Sequence, residues 1–290
     1  MARKQTGPAA KKSLGQHFLE DKGAVEAALA MAEVGPDDLI VEIGPGKGIL
    51  TAALLAKASR VVAIEVDPRM VKYLQAKLSA PRLRIIQEDV LQVDWQRLFK
   101  DEAPVKVVAN LPYYITSPII QRLLAERTLF QSLVLMVQRE VAERISAEPG
   151  GRSYGILSVA VQYLAQVELG LVIPPAAFSP PPEVYSQLIK LVPRPRPLVD
   201  APSALFFRIV RAAFRQRRKT VLNALLAANL LDCAEKAEQK EKLAQILAAV
   251  DLSASQRPET ISILKYGELT SALGPHLRQD LLSREAGLEK

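Results

Sequence analysis

Hydrophobic positions along this chain follow two rhythms. Runs at 39–43, 60–66, 83–87, 105–109 and 133–137 are rich in β-branched residues and alternate little. Such runs suit strands covered on both faces, as in a parallel sheet with helices on each side. Between them, residues 49–58, 68–78 and 117–125 carry apolar positions at helical spacing. Two later runs, 166–172 and 187–192, are separated by a proline-rich loop with no room for a crossover helix, so this pair is expected to be antiparallel. The pattern predicts an α/β fold: a seven-stranded, mostly parallel sheet ending in an antiparallel hairpin.

The sheet pattern stops at Pro193, Pro195 and Pro197, a stiff stretch continuing to Pro202. Beyond it the apolar residues Phe206, Ile209, Val210, Ala213, Phe214, Leu222, Leu225 and Leu226 fall at helical spacing, as do those of 236–250 and 265–273. Two domains are therefore expected, 1–198 carrying the sheet and 199–290 all helical. The first dozen residues read as disordered.

Composition narrows the class. No apolar run is long enough to cross a bilayer, and the basic N-terminus lacks the apolar segment of a secretory signal. One cysteine, Cys233, excludes an internal disulfide and a multi-cysteine zinc site; two distant histidines, His17 and His276, make a histidine metal centre a poor reading. No metal is expected, and the setting is cytoplasmic. The 38 basic and 31 acidic residues give a net charge of +7, a weak sign of an acidic partner. Their placement says more. Arg208, Arg211, Arg215, Arg217, Arg218 and Lys219 follow one another with no acid between. Helical spacing puts Arg208, Arg211, Arg215 and Arg218 on one face. A solvated face normally mixes signs; an unmixed one fits a phosphate backbone.

Three stretches carry candidate chemistry. Glu42-Ile-Gly44-Pro-Gly46-Lys-Gly48 follows the first long strand and opens a helix. Glycines there let the chain turn sharply and a ligand approach the backbone. The spacing is not the dinucleotide fingerprint, whose sixth place here is Ile49, and no Gly-Lys-Ser/Thr follows to make a P-loop. It resembles the first motif of S-adenosylmethionine-dependent methyltransferases; a plain structural turn is the alternative. Glu65 ends the next strand, where a carboxylate can accept the ribose hydroxyls of an adenosine group. Asp67 is expected to cap the helix that begins at Pro68. Asp89 is placed to bind an adenine amino group, or is a solvated loop carboxylate.

Asn110-Leu111-Pro112-Tyr113 directly follows the fourth strand, at the sheet edge where open α/β folds bind ligands. An adenine amino nitrogen is a poor nucleophile because its lone pair is delocalised into the ring. The Asn110 side-chain oxygen and a main-chain carbonyl at Leu111 or Pro112 can hold its two protons and turn the lone pair outward. Proline restricts the loop so that a carbonyl faces the pocket, and Tyr113 offers a ring on which a base stacks, worth about 1–3 kcal/mol.

With these residues assembled, the chain resembles small-subunit (16S) ribosomal RNA adenine dimethyltransferases from about Lys12 to Gly267. The resemblance rests on Gly15-Gln-His17-Phe-Leu19, the glycine loop, Glu65-Val-Asp67, Glu88-Asp89-Val-Leu and Asn110-Leu-Pro-Tyr113. It continues through Gln138-Arg139-Glu140, Tyr154-Gly-Ile-Leu-Ser158, Phe178-Ser-Pro-Pro-Pro-Glu-Val and Phe214-Arg-Gln-Arg-Arg-Lys219. His17 and Glu88 stand where many relatives have Asn and Gly. The resemblance implies a Rossmann-like class I methyltransferase domain followed by a helical RNA-binding domain, acting as a monomer. Its methyl donor is S-adenosylmethionine, held by His17, Leu19, Gly44, Glu65, Asp89 and Asn110. Asn110, Leu111, Pro112 and Tyr113 hold the target base, with Phe178 as a second aromatic face. Two adjacent adenosines near the 3′ end of small-subunit ribosomal RNA, within an immature 30S particle, are the implied substrate. A large-subunit RNA methyltransferase, an adenine-N6 DNA methyltransferase and a non-catalytic assembly factor are the alternatives.

Some residues invite plainer readings. Cys233 is expected to be a small buried residue on a helix, and Trp95 and Phe99 to pack under a loop. Gln138, Arg139 and Glu140 are expected either to begin a solvated helix or to order a loop near RNA.

Overall fold

The computed structural model describes residues 7–11, 14–102, 104–216, 218–233 and 235–278. In chain order, the first unit holds β1 (Phe18–Leu19), α1 (Lys22–Met31), β2 (Leu39–Ile43), α2 (Ile49–Leu55), β3 (Arg60–Glu65), α3 (Pro68–Lys77), β4 (Leu83–Gln87), α4 (Trp95–Phe99), β5 (Val105–Asn110), α5 (Thr116–Ala125), β6 (Phe130–Gln138) and α6 (Arg139–Ser146). Then come α7 (Ile156–Leu164), β7 (Ala165–Ile173), β8 (Phe178–Ser179) and β9 (Ser186–Pro193), followed by α8 (Ser203–Phe214), α9 (Val221–Ala228), α10 (Lys236–Ala249) and α11 (Ile263–Leu273).

The main sheet has seven strands in the order β4-β3-β2-β5-β6-β9-β7. β2 through β6 run parallel, and β9 lies antiparallel to both β6 and β7. The α/β fold and its terminal hairpin are as the pattern predicts. Every residue of β2 is buried, whereas β4, at an edge, is half exposed; this is why the central strands read as mostly apolar runs with little alternation. Strand order reverses between β2 and β5, each of which pairs with the other and with a different outer neighbour. Open α/β sheets place ligands beyond the carboxyl ends of strands at that reversal. A separate two-stranded pair, β1 with β8, was not legible in the sequence; it joins Phe18 to Ser179 and Leu19 to Phe178.

The chain divides into two units, Met1–Ser146 with Leu164–Pro195, and Ala147–Tyr163 with Arg196–Lys290. This corrects a simple division at 198/199, since a segment from mid-chain joins the second unit. Its aromatics explain why: Tyr163 stacks on Phe206 at 4.6 Å and Tyr154 lies 6.2 Å from Phe214. Burying such rings outweighs continuity along the chain. Cys233 also departs from expectation. It is partly exposed, in the loop between α9 and α10. Trp95 and Phe99 are buried on α4 as expected, and Gln138–Glu140 lead into α6. The expected disorder at 1–6 and Lys12 lies outside the described residues. Among the described residues, no helix is long and apolar enough to cross a membrane.

Candidate active site

Two loops meet at the strand-order reversal. Gly44, after β2, donates its N–H to the Ile64 carbonyl of β3 at 2.9 Å, and the position of a Cβ on it lies 3.8 Å from the Asn110 carbonyl at the end of β5. A cavity of about 310 Å³ opens there. It is lined by five short segments and the start of α2. His17 and Leu19 come from the N-terminal segment, Glu42 and Gly44 from the glycine loop, Glu65 and Val66 from the end of β3, Asp89 from the loop after β4, and Asn110 through Tyr114 from the loop after β5. All but one of the residues expected to hold cofactor or base thus share one cavity.

The glycine loop is shaped by its backbone. Gly46 has φ +52°, and a Cβ there would sit 2.8 Å from the Phe18 ring. Only glycine fits both the left-handed turn and the space. The Gly46 N–H in turn donates to Glu65 Oε2 at 3.4 Å, while the Asp67 N–H donates to Oε1 at 2.9 Å. Each Glu65 oxygen keeps a lone pair for a further donor, as a ribose diol requires. Burial pushes the Glu65 carboxyl above its ordinary value, against the pull of those backbone donors. Glu42, one strand over, is 1% exposed and its Oε2 has no hydrogen-bond partner. Burial raises it from 4.5 to about 8, helped by repulsion from Glu65. Its singular position is not visible in the motif, which marks Glu42 only as the first letter of a glycine loop.

Asp67 caps α3, accepting the Arg69 N–H at 3.1 Å and the Arg69 side chain at 2.6 Å. That guanidinium holds its carboxyl down to about 2, so Asp67 serves the helix, as expected. Asp89 is exposed on the cavity rim; Oδ1 accepts the Leu91 N–H at 3.0 Å, which orients the carboxylate and leaves Oδ2 for a ligand amine.

The Asn-Leu-Pro-Tyr loop is fixed at every residue. Asn110 Nδ2 donates to the His17 carbonyl at 3.1 Å. Because a carbonyl only accepts, the amide is oriented and Oδ1 remains as its acceptor. The Leu111 N–H is tied to Met136 of β6, and the Pro112 carbonyl accepts from Ile115 N–H and the buried Thr116 hydroxyl at 3.1 Å. The two candidate carbonyls are thereby distinguished: Pro112 is committed to the turn, and Leu111 is left for a ligand. Tyr113 Oη pairs with Ser186 Oγ of β9, and its ring stacks on His17 at 5.6 Å between centroids. Burial raises the Tyr113 phenol, so it stays protonated near neutrality. His17 Nδ1 donates to the Pro180 carbonyl at 2.8 Å, which fixes the imidazole over the Tyr113 ring. Thr116 and Ser186 had no sequence signal, since their roles come from contacts across the turn and across the sheet.

Phe178 is the exception. Its side chain is 4% exposed within the hydrophobic core beside Leu19, Val25 and Leu29, and it does not line the cavity. Its pairing with Leu19 in the two-stranded β1–β8 pair holds it there. In the second unit, Arg211, Arg215, Arg218 and Lys219 are exposed, and Arg208 is partly so. α8 ends at Phe214, so Arg215 is its C-cap and Arg218 and Lys219 lie in the following turn rather than on the helix face. Arg217 lies outside the described residues.

The cavity fits S-adenosylmethionine: a cradle that a Cβ would fill, a buried carboxylate with open lone pairs at the end of β3, and a rim acid after β4. Among the described residues no cluster of metal-ligating side chains occurs. Fold and cavity together define a class I methyltransferase built for an S-adenosyl donor. Residues 7–268 match the ribosomal RNA adenine dimethylase family, and the chain belongs to it. It is 42% identical over 272 residues, 92% of each chain, to a ribosomal RNA small subunit methyltransferase A of Bacillus cytotoxicus. A protein of the same name from Alkaliphilus metalliredigens is 44% identical over 264 residues, 89% of this chain and 90% of that one. Among solved structures, a dimethyladenosine transferase from Plasmodium falciparum superposes with a TM-score of 0.74 at 25% identity, covering 90% of this chain and all of that one. The 23S rRNA methyltransferase ErmE gives 0.68, also at 25%, over 89% and 99% of the two chains.

Proposed function

We propose that this protein converts two adjacent adenosines near the 3′ end of small-subunit ribosomal RNA to N6,N6-dimethyladenosine, acting in the cytoplasm as a monomer on an immature small subunit. The observation that carries the reading is the pair of acceptors left open at Asn110 Oδ1 and the Leu111 carbonyl. An exocyclic NH₂ has two protons, and these two oxygens take both. The relatives that are 42–44% identical are named for the small subunit, which favours it over large-subunit RNA.

S-adenosylmethionine, when bound, supplies a methyl group already activated by a sulfonium. Glu65 holds the ribose, Asp89 the adenine, and His17, Leu19 and Gly44 the remainder of the donor. Asn110 and Leu111 grip the target amine and aim its lone pair, and Tyr113 stacks the base. No side chain needs to act as a strong base, because the amine becomes acidic once methylated and loses its proton to water. The contribution of the chain is alignment. Arg208, Arg211, Arg215, Arg217, Arg218 and Lys219 contact RNA phosphates, which positions the substrate without identifying it. Selection of the adenosines comes from loop shape.

The test is nucleoside mass analysis of unmethylated small subunits after incubation with protein and labelled S-adenosylmethionine. Two dimethyladenosines per particle are expected. Label on a nucleoside other than these two adenosines, or no label at all, would overturn the reading.

A further inference from the structure

Ten large hydrophobic residues are exposed in the described chain, and Tyr114 is the most exposed, at 56%. Only Tyr114 and Val66 among them line the cavity. Val66 follows Glu65 and belongs to the donor side. Tyr114 follows Tyr113 in the turn Tyr113–Ile115, on the side of the target base. Its environment is that of a platform. The ring lies beside Gly15, where a Cβ would stand 3.2 Å from Tyr114 Cδ1; with φ +54°, glycine there leaves one edge of the ring uncrowded. Among the described residues, Tyr114 makes no side-chain hydrogen bond and no ring contact of its own. Tyr113, by contrast, is anchored through Ser186 and stacked on His17. The core of the protein therefore does not need the Tyr114 ring. An unanchored aromatic on the lip of a base-binding cavity has one ready partner, another base.

We propose that Tyr114 is a positioning residue that stacks the purine next to the adenosine held at Asn110 and Tyr113. The inference rests on the adjacent-adenosine substrate proposed above. Tyr113 and Tyr114 are consecutive and line the same cavity. A base in the pocket and its neighbour on the lip are thus within reach of two successive tyrosines. Stacking the neighbour withdraws it from competition for the pocket and fixes the ribose between them.

The test uses whole protein and unmethylated small subunits of two kinds: natural ones, and ones whose RNA carries uridine in place of one adenosine of the pair. Tyr114→Ala is expected to lower kcat/KM on natural subunits about ten-fold, the lower part of the range for one stacked base, with donor affinity by calorimetry unchanged. Tyr114→Phe keeps the ring and should restore the rate. The native protein should lose rate on the remaining adenosine when its neighbour is uracil, a poorer stacking partner, whereas Tyr114→Ala should be indifferent to that change. Native-like rates in Tyr114→Ala would overturn the assignment. So would a Phe variant as slow as Ala, an equal loss of donor affinity, or a neighbour effect that persists without the ring. A native protein that dimethylates nothing on natural subunits instead sinks the substrate proposal itself.

Discussion

Glu42 offers a stability measurement that probes the cavity without any substrate. Its carboxyl is fully buried, one oxygen lacks a partner, and burial lifts it from 4.5 to about 8. Between those values the folded protein keeps a proton that the unfolded chain has released. The stabilisation from this proton is complete below about pH 4.5 and falls as pH rises, until it is gone above about 8. From pH 6 to pH 9 the folded carboxylate is forced to ionise. At about 1.4 kcal/mol per unit over the two units below 8, that step costs about 3 kcal/mol. In a unit of this size each kcal/mol moves Tm by about 2–4 °C. The native protein should therefore lose about 6–12 °C more than Glu42→Gln over this interval, because glutamine has the same shape and no proton to lose. Thermal unfolding of both proteins, free of donor, at half-unit steps of pH reads the difference directly. Parallel curves for the two proteins would show that Glu42 ionises at an ordinary value, and the account of its burial would fail.

Asn110→Ala should lower kcat for methyl transfer by a factor on the order of 10²–10³, as expected for loss of one oriented hydrogen-bonding group at the reacting centre. Donor affinity should change little, and an equal loss of both would contradict the division between Asn110 and the donor residues. Gly46→Ala places a Cβ against Phe18 in a backbone at φ +52°; calorimetry should show donor binding weakened about ten-fold or more, and unchanged affinity would mean that the loop does not cradle the donor. Charge reversal at Arg215 and Arg218 should weaken RNA binding and reduce the slope of log K against log salt by roughly 1–2. A slope equal to that of the native protein counts against phosphate contact there.

The sheet was legible because its central strands are buried on both faces, which leaves mostly apolar runs at β2, β3 and β5, with Glu42 and Lys106 the polar residues inside them. β1 and β8 were not, since two residues each carry no periodicity. The apolar spacing after 199 coincides with α8 to α11, but the earlier piece of the second unit carried no sign of its membership. The pattern of α7 shows an apolar helix, and only the tertiary contacts of Tyr163 and Tyr154 show which core it joins. Periodicity reports that a face is buried, never against what.

The same distinction runs through the site. Sequence motifs mark residues whose backbone or chemistry is special, and Gly44, Glu65 and Asn110 are special in that way. Whether a motif residue reaches the cavity depends on neighbours far along the chain. Phe178 has the right type for a stacking face, yet its pairing with Leu19 in a two-residue ladder draws it into the core. The Tyr113 ring is held through Ser186, which is 73 positions away, and Asn110 gains its orientation from His17, 93 positions away. Those distant partners decide which oxygens stay open. The chemistry of the site is therefore set as much by acceptors already used, such as the Pro112 carbonyl, as by those the motif supplies. That is why the difference between the Leu111 and Pro112 carbonyls is visible only in three dimensions.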